Sequence, residues 1–207
     1  MVHLVYDLTE LYPVLRWTYP PFFLILKDGG SIAFFLISGI AATLGRRHLR
    51  RGLLVLGCGA LVSAAMDLTG AMPIRFGVLH CLGSCMLIWE VFRKRSSRFL
   101  AVTGIGLVLL GLLFSSVAVS ANWLYPVGLT APDFQSADYF PLLPYFGYFL
   151  LGACLGKTRY QDRRSLFTKT DFSKPFPRFF CLCGRHSLII YLIHQPVLIL
   201  LIEAALV

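Results

Sequence analysis

The chain has 207 residues, of which 57% are hydrophobic and only 14% charged, with a mean hydropathy of +0.73. Soluble domains carry about a quarter charged residues, so composition excludes one and indicates an all-α, polytopic membrane helix bundle. At roughly 20 residues per span the length allows six to seven transmembrane helices in a single domain, residues 1–207, with no room for a soluble one. The net charge of +9 sits in a few short loops, where it sets orientation in the membrane, and no nucleic acid is expected as a partner.

The first element is apolar yet carries His3, Asp7 and Glu10. On a helix these share one face, and ionisable groups at membrane depth point to function. Asp7 lies one turn from His3 and can orient the imidazole and stabilise its protonated form. The competing reading is an ordinary helix end with polar groups among lipid headgroups. Three prolines and two aromatics over residues 13–21 then read as an interfacial loop. Lys27-Asp28-Gly29-Gly30 interrupts the next apolar run, so the second helix is expected to start near Asp28 and to end before Arg46.

Further spans are expected over residues 52–68, 74–92, 99–121 and 139–156, and a last one over about 183–207. Between them lie the Arg93–Arg98 cluster, the long polar loop 122–137 and the basic loop Lys157–Arg178, with seven Lys and Arg residues. Basic loops (45–51, 93–98, 157–178) alternate without exception with loops poor in Arg and Lys. The positive-inside rule therefore puts the basic loops in the cytoplasm and the C-terminus outside a plasma (cytoplasmic) membrane. No cleavable signal peptide is expected, since the start lacks a positive n-region and a small-residue cleavage site.

This topology buries three histidines: His3 about 15 Å and His80 about 9 Å from the outer helix ends at 1.5 Å per residue, and His194 mid-span. Ser187, Tyr191 and His194 form a polar stripe, and Pro196 frees the Leu192 carbonyl beside it. Gly77, Gly83 and Ser84 make the face around His80 small. Each histidine could simply hydrogen-bond between helices; three at similar depth favour a site. At the outer mouth Asp138, Tyr139 and Tyr145 combine an acid with aromatic faces, which suits a sugar acceptor, although an aromatic belt with a capping aspartate has the same composition. Arg46, Arg47, Arg50 and Arg93 could grip donor phosphates, unless they serve orientation alone. The six cysteines suggest no disulfide framework, and Cys181, Cys183 and His186 lack a fourth ligand, so no metal is expected.

The segments His3–Asp7 with Phe34–Gly39, Arg75–Gly83, Asp138–Gly152 and Gly184–Pro196 resemble, in this order, the catalytic domain of heparan-alpha-glucosaminide N-acetyltransferase and its bacterial relatives. The resemblance covers most of the chain. It implies transfer of an acetyl group from cytoplasmic acetyl-CoA, a co-substrate, to an extracytoplasmic sugar or glycan acceptor, with the bilayer as the other partner and a homodimer left open. Relatives carry a cytoplasmic segment with an acidic residue and Arg-Gly before the first helix. Here that helix begins almost at Met1, so it is expected to be short or truncated. On this reading His3, oriented by Asp7, is the general base or transient acyl carrier, with His80 and His194 contributing. Asp138, Tyr139, Tyr145, Arg75 and Tyr191 would bind the acceptor, and the four arginines the donor. The alternatives are a small proton-coupled transporter or flippase, for which no internal repeat is visible, and a non-catalytic membrane protein.

Overall fold

A computed structural model describes residues 20–70, 72–117, 119–120, 122–160, 171 and 173–206. The segment expected to form the first helix, with His3, Asp7 and Glu10, lies outside these residues. Seven α-helices and no strands are found among the described residues: α1 (Pro21–Leu44), α2 (His48–Thr69), α3 (Val78–Phe92), α4 (Ser97–Phe114), α5 (Leu142–Arg159), α6 (Pro175–Arg185) and α7 (Ser187–Leu206). Four of them, α1, α2, α4 and α7, are long and apolar enough to cross a membrane, and α3 is apolar but shorter. The chain is an integral membrane protein built as a helical bundle.

Several boundaries differ from the sequence expectation, each for a local reason. α1 runs unbroken through Lys27–Gly30, since two glycines cost about 1 kcal/mol each, less than ending a long apolar helix. α3 starts four residues late because Phe76 first pairs with Tyr139 in an isolated parallel bridge. α4 ends at Phe114, where the hydroxyls of Ser115 and Ser116 turn back onto the Leu112 and Leu113 carbonyls. The expected basic loop 157–178 gives way at Pro175 to a helix of its own, α6, which runs to Arg185, so the last long helix begins at Ser187 and not near Cys183.

The chain divides into two compact units, residues 29–165 and the flanks on either side. In the flanks, α6 and α7 are separated by His186 alone. In the 29–165 unit the helices meet along glycines. Lipid is as apolar as leucine, so helices in a membrane gain from close backbone approach at small residues. Gly104 of α4 and Gly147 of α5 face each other: a Cβ on either would come within 3.0 Å of the other's carbonyl oxygen. Gly52 of α2 and Gly83 of α3 make the same reciprocal contact, a geometry in which Cα–H groups point at carbonyls. On another side of α5, a Cβ at Gly152 would overlap the Leu36 carbonyl of α1, and one at Gly39 would overlap the Phe149 carbonyl. Between these seams the core is aromatic and fully enclosed, with Phe35, Trp89 and Phe149 at its centre.

Gly152→Ala is therefore expected to lower stability by about 2 kcal/mol or more, since a backbone carbonyl cannot swing aside. Gly106→Ala, whose Cβ would enter open space, should be neutral or stabilising by up to about 1 kcal/mol. Thermal denaturation of the detergent-purified variants measures the difference; equal midpoints would contradict the seam.

Candidate functional site

Two regions of the 29–165 unit gather chemistry, and α3 runs from one to the other. At its C-terminal end lies a cavity of about 530 Å³, lined in part by Arg46, Arg47, Arg93, Lys94, Lys157 and Glu90. The turn that joins α1 to α2 forms one wall. Its Arg47 has φ 65°, a left-handed conformation that costs a residue with a side chain about 1–2 kcal/mol, and such strain collects at functional positions. Arg47 supplies no side-chain cap to α2, whose first residue His48 borders the cavity and brings the positive end of the helix dipole with it. Five cations thus face one carboxylate, and that carboxylate is already committed: Glu90 pairs with Arg93 at 2.8 Å. The arrangement suits a polyanion such as a phosphate-bearing donor.

Three of the four predicted donor residues, Arg46, Arg47 and Arg93, line this cavity, while Arg50 is not among its lining residues. Lys94, which the sequence groups with Arg93 and Arg95 in one basic cluster, lines it too, and Lys157 is an addition that the sequence reading does not contain. Lys157 had been assigned to a loop, but it sits in the last turn of α5. It donates to the carbonyls of Arg93 at 2.7 Å and Arg95 at 2.6 Å and lies 5.8 Å over the Trp89 ring.

At the other end, α3 begins under the loop that carries Asp138. Asp138 Oδ2 accepts the Val78 N–H at 2.9 Å, so it caps a helix sixty residues upstream and not the one that follows it. Gly77 makes this possible, because a Cβ there would collide with the carboxylate. The loop is then stitched to the start of α3. Ser136 Oγ accepts from the Arg75 N–H at 3.1 Å and donates to the Asp138 carbonyl at 2.7 Å. The Phe140 N–H donates to the Phe76 carbonyl at 2.8 Å. The Tyr139 hydroxyl donates to the Tyr125 carbonyl at 2.7 Å, and burial pushes its pKa up to about 12. Burial likewise raises the Asp138 pKa, and outweighs the Val78 hydrogen bond that lowers it.

Aromatic rings continue the mouth. Phe76 lies 5.8 Å from the His80 ring and 6.4 Å from Tyr125. Tyr145 packs 4.9 Å from both Phe35 and Phe140. Arg75 is exposed at the rim. Just inside, the buried Nδ1 of His80 has no hydrogen-bond partner, and its ring lies where a Cβ on Gly59 would come within 3.1 Å. A buried, unused imidazole nitrogen is a polar group that normally demands a partner. It can serve a substrate. In the flanks, His194 Nδ1 donates to the Tyr191 carbonyl of its own helix, with the two rings 5.3 Å apart.

Residues 1–196 match the family model described as heparan-alpha-glucosaminide N-acetyltransferase, catalytic. No curated protein and no solved structure matches the chain.

The Asp138 cap gives a pH-resolved expectation. Its raised pKa means that protonated Asp138 favours the fold. That stability is present below the ordinary value of 3.8 and is lost as pH rises through the folded value. Asp138→Asn keeps an oxygen for the Val78 N–H and should remove this slope without destabilising at neutral pH. Asp138→Ala leaves the N–H unpaired and should lose about 1–2 kcal/mol. Denaturation midpoints of the three proteins from pH 3 to pH 7, with ~ one-unit steps across the carboxylate range, read both effects.

Proposed function

The chain belongs to the heparan-alpha-glucosaminide N-acetyltransferase catalytic family, and from that premise we propose that it moves an acetyl group from acetyl-CoA, on the side of its basic loops, to an amino-sugar-like acceptor on the opposite side. The observation that carries this reading is the two-ended arrangement along α3. A cationic cavity stands at its C-terminal end, and the buried, unpartnered Nδ1 of His80 beneath an aromatic mouth at the other. The fifteen residues of α3 rise about 22 Å at 1.5 Å each.

Acetyl-CoA supplies an activated acyl thioester, which the acceptor amine attacks as the carbon–sulfur bond breaks. Arg46, Arg47, Arg93 and Lys94 hold donor phosphates by charge-assisted hydrogen bonds. Lys157 is held at the cavity by its hydrogen bonds to the Arg93 and Arg95 carbonyls just beyond α3. The acceptor sits against Tyr139, Tyr145 and Arg75, with rings offered to its C–H faces. Asp138 holds the start of α3, and so His80, in place. His3, one turn from Asp7 in sequence, takes the proton that the amine sheds. His80 Nδ1 is a second acceptor for it.

Donor binding and transfer should separate by variant. Arg47→Ala and Arg93→Ala should each weaken CoA binding by about tenfold, more at low than at high salt. His80→Ala should leave CoA binding unchanged and lower kcat by about 10²-fold or more, and His3→Ala should abolish transfer. Isothermal titration with CoA and a labelled-acetate transfer assay measure the two quantities. Wild-type transfer by both histidine variants would overturn the proposed base, and wild-type CoA binding by both arginine variants the proposed donor site.

A further inference from the structure

α6 has a use that acetyl transfer does not require. Phe176, Phe179, Phe180 and Cys183 follow spacings of three, four and seven and make one face. Lys174, Arg178 and Arg185, at spacings of four and eleven, make the opposite one. No residue of α6 is buried: Phe176 is 74% exposed, Phe179 59% and Phe180 58%. Three exposed phenylalanines on one helix face are a patch that calls for a partner.

The chain itself says which partner. His186 alone separates α6 from α7, and α7 is a candidate membrane span, so the C-terminal end of α6 is tethered at a membrane surface. Eleven residues extend about 16 Å, too short to cross about 30 Å of hydrocarbon but long enough to lie along its boundary. Pro175 and Pro177 occupy the first turn, where a missing N–H costs little. Before them Asp171 Oδ1 accepts from the Ser173 N–H at 3.0 Å and from its hydroxyl at 2.6 Å, a turn that starts the helix. A basic face opposite an aromatic one is the composition of helices that lie in the interface of an anionic leaflet.

We propose that α6 lies in the plane of the leaflet from which α7 enters the membrane, with Phe176, Phe179 and Phe180 in the acyl boundary and Lys174, Arg178 and Arg185 on anionic phospholipid headgroups. The helix thereby fixes the depth at which α7 starts. It also makes the protein's seating depend on lipid charge. Two native thiols report on it: Cys183 is on the aromatic face, and Cys181 is exposed on the other side.

The test uses the full-length wild-type protein in nanodiscs of phosphatidylcholine with phosphatidylglycerol, treated with a water-soluble maleimide. Tryptic peptides are read for labelling at each cysteine, normalised to the unfolded protein. Cys181 should react about tenfold faster than Cys183. The ratio should fall several-fold when phosphatidylglycerol is replaced by phosphatidylcholine. Arg178→Gln or Arg185→Gln should each remove about half of that headgroup dependence. Equal rates for the two thiols would overturn the proposal. So would protection of Cys183 that is indifferent to headgroup charge, since that would put the aromatic face against protein.

Discussion

α3 is held at both ends by one continuous segment of chain, and most of the 29–165 unit follows from that clamp. Asp138, where the segment begins, accepts the Val78 N–H at the start of α3; Lys157, near its end, donates to the Arg93 and Arg95 carbonyls beyond the last turn. The signs match the helix dipole, with an acid at the positive end and a cation at the negative end. Asp138 satisfies a backbone N–H that the start of α3 leaves open, and Lys157 satisfies the C-cap carbonyl of Arg93 and a carbonyl of the turn after it. Residues 142–157 of α5 thus run between the two ends of α3. The Gly104–Gly147 contact brings α4 in on one side of α5, and Gly39 with Gly152 brings in α1 on another.

The clamp also explains why the chemistry gathers where it does. Lys157 carries charge into the cavity at the foot of α3 while making hydrogen bonds there. Asp138 draws the aromatic loop over the head of α3, two residues before His80. Residues that fix the helix ends therefore also border the two candidate substrate regions. Family membership supplies the acetyl transfer premise, and the direction proposed for it rests on the distribution of charge along α3.

What the sequence made legible was what depends on local composition. Hydropathy marked the helices, charge marked the basic clusters, and the motif stretches marked the family, because each is written in neighbouring residues. Asp138 was visible as an acid beside aromatics, but its partner lies sixty residues upstream, and no local spacing reveals that. Lys157 read as a loop charge because a lysine at a helix end and one in a loop look alike until the carbonyls it reaches are known. The seams were half-visible: Gly152 and Gly156 have a small-xxx-small spacing, but Gly104 and Gly147 pair only through tertiary contact. α6 was hidden by its two prolines and two arginines, although the spacing of Phe176, Phe179, Phe180 and Cys183 was there to be read. The pairing of His3 with Asp7 lies outside the described residues and rests on their spacing alone.

The claim at the centre of this account is transfer between opposite sides of one bundle. It is tested most directly in sealed proteoliposomes of known orientation, with labelled acetyl-CoA and glucosamine supplied to chosen sides. Labelled N-acetylglucosamine should form when acetyl-CoA meets the basic loops and glucosamine is on the other side, and not when both are confined to the basic-loop side. Transfer with both substrates on that one side would contradict the account, as would glucosamine crossing the membrane without being acetylated.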